Sequence, residues 1–292
     1  MFETTSRPLK LIAVSLVIWA AISSASILVV ASGATGEVCA FWRLFYTVLI
    51  LLPFASRHPR KTGVKWYHFV SGSALAAHFL LWMKSLYLIP VYYSTLLVTI
   101  YPLIALLLEY ILLGISPSPS SVFALVLAFT TLIFFLKEVN VFFNAGAVMA
   151  LIAGVAASIY FVIGKYARSR VKEDTVTYVI STYFFATIFA LIYLLISGVS
   201  PSSSSLTTHI YFVAMALVPM LLGHTLMNYL LRYLPAHAVS SISLGEPFGA
   251  GLLASIFLGQ EIGFRDLAIG LLLVFFIFVA IARSREDRNA DE

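Results

Sequence analysis

The chain has 292 residues, 61% hydrophobic and only 11% charged, with 18 basic against 13 acidic side chains, and a mean hydropathy of +0.99. Soluble domains carry about 25% charged and about 45–50% apolar residues, so these charges are too few to cover a water-facing surface. A cytosolic enzyme, a nucleic-acid-binding module and a disordered scaffold are excluded. The single cysteine, Cys39, excludes an intramolecular disulfide framework and a cysteine-based metal cluster.

A bilayer core of ~30 Å needs about 20 apolar residues per helix. In chain order, the stretches that qualify are 9–32, 36–54, 66–88, 91–114, 121–136, 143–165, 175–197, 209–231, 236–258 and 264–282. The fifth is short and calls for local thinning or a central place in the bundle. The runs are continuous rather than alternating, which argues for helices over a membrane β-barrel. Arg7 and Lys10 precede the first span and small residues follow it. Its ~24 apolar residues exceed a 7–15-residue signal core, so it is expected to be retained. The serine-rich stretches 116–121 and 200–205 read as polar turns, and the tail after Ala282 as solvated.

Ten spans put both termini on one side. That side collects Arg7, Lys10, Arg57, Arg60, Lys61, Lys65, Lys165, Arg168, Arg170, Lys172, Arg232, Arg283, Arg285 and Arg288, which is 14 of the 18 basic residues. The opposite loops hold only Lys137 and Arg265. Cytoplasmic loops carry the Lys/Arg excess, so both termini are expected in the cytoplasm of a cell-membrane protein.

An internal repeat is legible. Pro90, Pro102 and Gly114 are spaced twelve apart, and so are Pro235, Pro247 and Gly259, each 145 residues further on. Upstream, His78 and Trp82 match His224 and Asn228 at an offset of 146. The halves are expected over 1–138 and 139–292. Five spans each is an odd number, so the halves enter the membrane with opposite orientation. Inverted repeats that rock about a midplane site are how many secondary transporters achieve alternating access.

The stretch 39–53 (C-A-F-W-R-L-F-Y-T-V-L-I-L-L-P), the stretch 82–102 ending Y-P, and the stretch 240–261 (S-S-I-S-L-G-E-P-F-G-A-G-L-L-A-S-I-F-L-G-Q-E) resemble the second, fourth and ninth helices of the EamA-type drug/metabolite transporters. The resemblance covers essentially the whole chain as two five-helix units. It departs at the end of the fourth span, where Ser116 stands in place of a Glu two residues past Gly114. The resemblance implies export or exchange of small metabolites and leaves the substrate open, since members handle amino acids, sugars, nucleosides and drugs.

Several side chains are candidates for the mechanism. Pro102 and Pro247 lie mid-span and remove one backbone bond each, from the carbonyls of Val98 and Ser243; they are either simple kinks or hinges beside a cavity. Glu246, just before Pro247, is a mid-membrane carboxylate that costs at least ~2.5 kcal/mol unpaired. It binds substrate or proton, or else forms a structural pair with Arg43, Lys84 or Ser243. His78 and Trp82 share a helix face at i, i+4, as do His224 and Asn228. With Tyr101, Tyr160 and, more weakly, Trp19 they are either packing residues or the walls of a wet cavity. The cavity is expected between spans 1, 3, 4, 6, 8 and 9. Arg43 and Lys84 are placed towards the outer ends of their spans, where long basic side chains snorkel to the interface or form a positively charged vestibule. Glu109, near the inner end of span 4, reads as interfacial.

Enzyme chemistry lacks its ingredients. Every aspartate lies in a loop or the tail, and there is no G-x-S-x-G elbow, H-E-x-x-H pair or Walker A loop. No cofactor or metal is expected. The function indicated is a secondary transporter of a small polar metabolite, an amino acid or related amine first, acting as exporter or exchanger. The other reading is a channel or receptor-like protein without coupled transport. The expected partners are the small-molecule substrate and the lipid bilayer. Proton coupling and the choice between monomer and homo-oligomer are open.

Overall fold

A computed structural model describes residues 7–55, 63–114, 116–117, 119–138, 144–202 and 205–286. Arg57, Arg60, Lys61 and Arg288, used above for orientation, lie outside the described residues. Among the described residues every regular element is helical. The first half holds α1 (Arg7–Ser23), α2 (Ala25–Ala31), α3 (Gly36–Ala55), α4 (Trp66–Ser85), α5 (Val91–Val98), α6 (Tyr101–Leu113) and α7 (Pro119–Glu138). The second holds α8 (Ala145–Lys165), a π-helical turn (Tyr166–Arg170), α9 (Thr175–Ile196), α10 (Leu206–Met215), a π-helical stretch (Ala216–Thr225) and α11 (Leu226–Leu230). It ends with α12 (Ala236–Ser240), a 3₁₀ turn (Ser241–Gly245), α13 (Glu246–Leu258) and α14 (Phe264–Glu286).

Seven segments are long and apolar enough to cross a membrane: Ala13–Ala31, Gly36–Ala55, Val91–Leu113, Ala145–Arg170, Thr175–Ile196, Leu206–Leu230 and Ala236–Leu258. The expected spans 66–88, 121–136 and 264–282 are also helical, as α4, α7 and α14. Helix α4 carries His68, Ser71, Ser73, His78 and Lys84. It tolerates them because it lies inside the protein, packed on α8, α9 and α3, with most of its circumference buried. A helix covered over most of its surface by protein answers more to its neighbours than to lipid.

Close packing replaces the hydrophobic effect between helices in lipid, so small residues mark the tightest contacts. A Cβ on Gly72 of α4 would lie 2.6 Å from Phe185 Cβ, and one on Gly36 of α3 would lie 2.5 Å from the Met83 backbone. A larger core joins α1–α6 to α8–α13. A second core joins α5, α6, α7 and α14 with the start of α8 and Leu244 of the 3₁₀ turn. Local chemistry sets the helix starts. Asn144 Oδ1 accepts from Gly146 N–H at 2.8 Å to open α8, and Asp174 Oδ2 accepts from Val176 N–H at 2.9 Å to open α9. The repeat-related glycines Gly114 and Gly259 end α6 and α13 at φ of 71° and 64°, a left-handed turn that a side chain would strain.

Candidate functional site

The site begins at two broken helices. Helix α5 stops at Val98 and α6 starts at Tyr101. Helix α12 stops at Ser240, a 3₁₀ turn follows, and α13 starts at Glu246. Pro102 and Pro247 fall in the first turn of α6 and α13, where a missing N–H costs nothing because that position has no intrahelical acceptor. The prolines therefore open new half-helices instead of kinking continuous ones. The expectation that Ser243 loses its donor is corrected, since its carbonyl accepts from Glu246 N–H in the 3₁₀ turn.

Tyr101 and Glu246 are thus the first residues of repeat-related half-helices. A carboxylate at that end is favoured by the helix dipole. Neighbours hold the first break closely. Ser158 Oγ donates to the Tyr101 carbonyl at 3.0 Å, and a Cβ on Gly154 of α8 would come within 2.8 Å of the Val98 carbonyl oxygen.

Both breaks border one central cavity of about 20 Å³. That is room for about one water, which needs roughly 10–15 Å³. Its polar lining is Arg43 of α3, His78 and Trp82 of α4, Tyr101 of α6, His224 of the π stretch and Glu246 of α13. Ile22, Val98 and Met227 supply apolar wall. Two pairs in this lining are repeat-related: His78 with His224, and Tyr101 with Glu246.

The side chains are oriented by packing and by backbone contacts. His78 stacks parallel on Trp82, with ring centroids 6.1 Å apart. Its Nδ1 lies 3.1 Å from the Ala153 carbonyl, which assigns the proton to that nitrogen. Tyr101 stacks on Phe161 at 5.5 Å. Asn228 Nδ2 donates to the Tyr160 hydroxyl and to the His224 carbonyl at 2.8 Å, so Tyr160 and Asn228 stand one layer behind the cavity and brace His224.

Arg43 is 1% exposed and Glu246 is 7% exposed. The Arg43 guanidinium lies 4.2 Å over the Phe79 ring. None of its three nitrogens has a hydrogen-bond partner within the protein, Glu246 included. A desolvated cation–π contact is worth about 2 kcal/mol, whereas taking a cation out of water costs several kcal/mol. The ring alone leaves this charge under-compensated. His224 Nδ1 and Trp82 Nε1 in the lining, and Asn228 Oδ1 just behind it, are likewise without partners within the protein.

Besides Tyr160 and Asn228, which stand behind the cavity rather than in its wall, three placements differ from the sequence reading. Arg43 does not snorkel to an outer vestibule but lines the centre, which brings the second span into the wall; the sixth stands behind the wall, where Ala153, Tyr160 and Phe161 support the lining residues. Counting would have revealed this, since seven residues from Gly36 is about 10 Å at 1.5 Å per residue, deep in a ~30 Å core. Lys84 lies apart from the cavity, its Nζ 2.8 Å from Glu37 Oε1, and an ion pair there replaces an open vestibule charge. Trp19 is 37% exposed and packs on Gly245 and Gly249 beside the second break, outside the cavity lining.

Among the described residues, no cluster of His, Cys, Asp or Glu is arranged to hold a metal ion. Long apolar helices around a buried, partly unpartnered polar centre define a multi-pass membrane protein assembled by duplication. The EamA-like transporter family model matches the chain twice, at residues 8–137 and 144–282. The chain belongs to that family, consistent with the drug/metabolite transporter superfamily. It is thereby a membrane transporter of the drug/metabolite type, embedded in a lipid bilayer and acting on small molecules. A solved structure titled "Crystal structure of protein" shares the fold, with a TM-score of 0.68 at 17% identity, covering 94% of this chain and 98% of that one. Comparison with curated proteins gives no match.

Proposed function

We propose that the chain is a secondary transporter that moves a small polar metabolite, an amino acid or related amine, across the cytoplasmic membrane by alternating access, as an exporter or exchanger. In this reading the chain crosses ten times, both termini are cytoplasmic, and the halves 1–138 and 139–292 are inverted. The basic-residue bias of fourteen against two supports the orientation. The observation that carries the proposal is the shared cavity: the two halves contribute repeat-related side chains to it, at two repeat-related helix breaks. Discontinuous helices meeting at a repeat interface are the usual setting of a transporter site.

Within the site, Tyr101 and Trp82 supply broad apolar contact, while His78, His224 and Glu246 fix orientation, a division common to small-molecule pockets. Glu246 takes the amine, and Tyr160 and Asn228 hold His224. A cavity of about 20 Å³ admits a metabolite only once the halves separate, which favours a carrier over an open pore. Purified protein in liposomes, screened with a mixed metabolite pool with and without a pH gradient, tests the proposal. Saturable, counterflow-stimulated uptake is expected. Passive flux that neither saturates nor responds to substrate on the other side would replace the carrier by the channel reading.

A further inference from the structure

We infer that Arg43 is the anion anchor of the central cavity, so that the substrate presents a carboxylate as well as an amine and is recognised as a zwitterion. The inference rests on the proposed transport site and deepens it, because an amine bound at Glu246 alone would fit monoamines, polyamines and cationic drugs equally well. Three observations carry it. Arg43 is almost wholly buried yet lines the cavity. Its guanidinium is held in place over Phe79. All of its nitrogens keep their hydrogen-bonding capacity unspent. A planar fork of donors, rigidly seated and unsatisfied, matches the two oxygens of a carboxylate.

The rest of the cavity sorts the other classes out. Glu246 faces the same space as the counter-charge, and Arg43 is not hydrogen-bonded to it. The two charges are thus separate recognition points rather than a closed ion pair. The remaining polar lining is His78, His224, Trp82 and Tyr101, a flat aromatic surround suited to a small substrate. A simple amine would leave Arg43 buried and unpaired, and a simple acid would do the same to Glu246. A substrate carrying both groups leaves neither end unsatisfied, and that penalty against half-matching ligands is the source of selectivity.

The full chain, in detergent and in liposomes, is challenged with the common amino acids, the corresponding amino-acid amides and the N-acetyl amino acids. For any amino acid that binds, the amide and the N-acetyl form are each expected to bind at least tenfold more weakly. Arg43→Gln is expected to bring the acid down to the level of its amide while the preference over the N-acetyl form persists. Glu246→Gln is expected to do the converse. An amide bound as tightly as its acid by the unaltered protein overturns the inference, and so does an acid-to-amide ratio that Arg43→Gln leaves intact. Where Arg43→Gln fails to fold, the ratio in the unaltered protein decides, with Arg43→Lys expected to retain part of the preference. If no amino acid binds, thermal protection by propionate and by inorganic phosphate is measured. Protection that Arg43→Gln or Arg43→Lys weakens keeps the anion anchor and rejects the zwitterion and amine reading of the site. Protection by neither anion overturns the anchor.

Discussion

Glu109 of the first half closes on the start of α12 in the second, next to His237. Its Oε1 accepts from Ala236 N–H at 2.7 Å, and its Oε2 accepts from His237 N–H at 3.2 Å and meets His237 Nδ1. A counterpart stands at the other broken helix, where Gln260 Oε1 of the second half accepts from Val91 N–H at 2.9 Å to cap α5. The capped residues follow Pro90 and Pro235, which the repeat makes equivalent. Each broken helix therefore begins on a side chain lent by the other half. Glu109, read from sequence as interfacial, is 0% exposed.

These two contacts should differ in strength. Glu109→Ala strands two backbone donors and a buried ring nitrogen, and an unsatisfied buried donor costs about 1–3 kcal/mol. Gln260→Ala removes one neutral cap, worth about 0.5–2 kcal/mol. Thermal unfolding in detergent should show the larger drop for Glu109→Ala. Equal and negligible drops would mean that neither contact holds the halves together.

The approach of α8 to the first helix break should be intolerant of bulk. Gly154→Val would force side-chain atoms into the Val98 carbonyl and Ile100, where even a Cβ lies within 2.8 Å and 2.9 Å. Overpacking of this kind costs about 1–3 kcal/mol. A lower melting temperature with lower transport is expected. Unchanged stability would show that α8 can move away from the break freely.

Replacing Pro102 or Pro247 by Ala restores a backbone donor at the start of a half-helix and lets the two halves of the span join. Turnover is expected to fall several-fold while substrate binding changes little. Binding and turnover falling together would assign the prolines to site geometry rather than to motion.

Orientation can be checked by labelling. In a Cys39→Ser background, a cysteine replacing exposed Val64 should react only from the cytoplasmic side, and one replacing exposed Ser202 only from outside. Labelling of both from one side would remove the inverted repeat. The background is conservative, because Cys39 Sγ is buried and lies 3.2 Å from Ser32 Oγ.

Glu246→Gln separates two roles of one carboxylate. If Glu246 carries a coupling proton, the variant should lose gradient-driven accumulation and keep counterflow exchange. If it only holds the amine, both assays should weaken together. Full activity in both would assign Glu246 a structural place.

Much of this was legible in the sequence, for physical reasons that also explain what was missed. Apolar run length reports helices because bilayer thickness dictates it, whereas the paired prolines, which the sequence offers as kinks or hinges, sit in the first turns of new half-helices because a missing N–H is tolerated there. Tyr101, His224 and Glu246 could be grouped because the repeat fixes their relative depth. Arg43 is hard to place from sequence because a long basic side chain two turns inside a span can either reach the interface or turn to the centre, and only the packing of Phe79 beneath it decides. The Glu109 contact was invisible because its partners lie 127 and 128 residues away, and no local pattern encodes a pairing at that range.

The ten-residue π-helical stretch Ala216–Thr225, which contains Pro219 and His224, has a consequence of its own. Each i→i+5 bond encloses one residue more than an α turn, so this segment stores surplus chain much as a crystal stores a dislocation. Moving that surplus along the rod by one position would turn only the residue it passes, by roughly 100° at 3.6 residues per turn, and leave the helix on either side in register. His224 and Asn228 lie within and just past that surplus. A defect gliding past His224 would therefore re-aim that ring alone, while Asn228 beyond it and Glu246 on a different rod stayed in place.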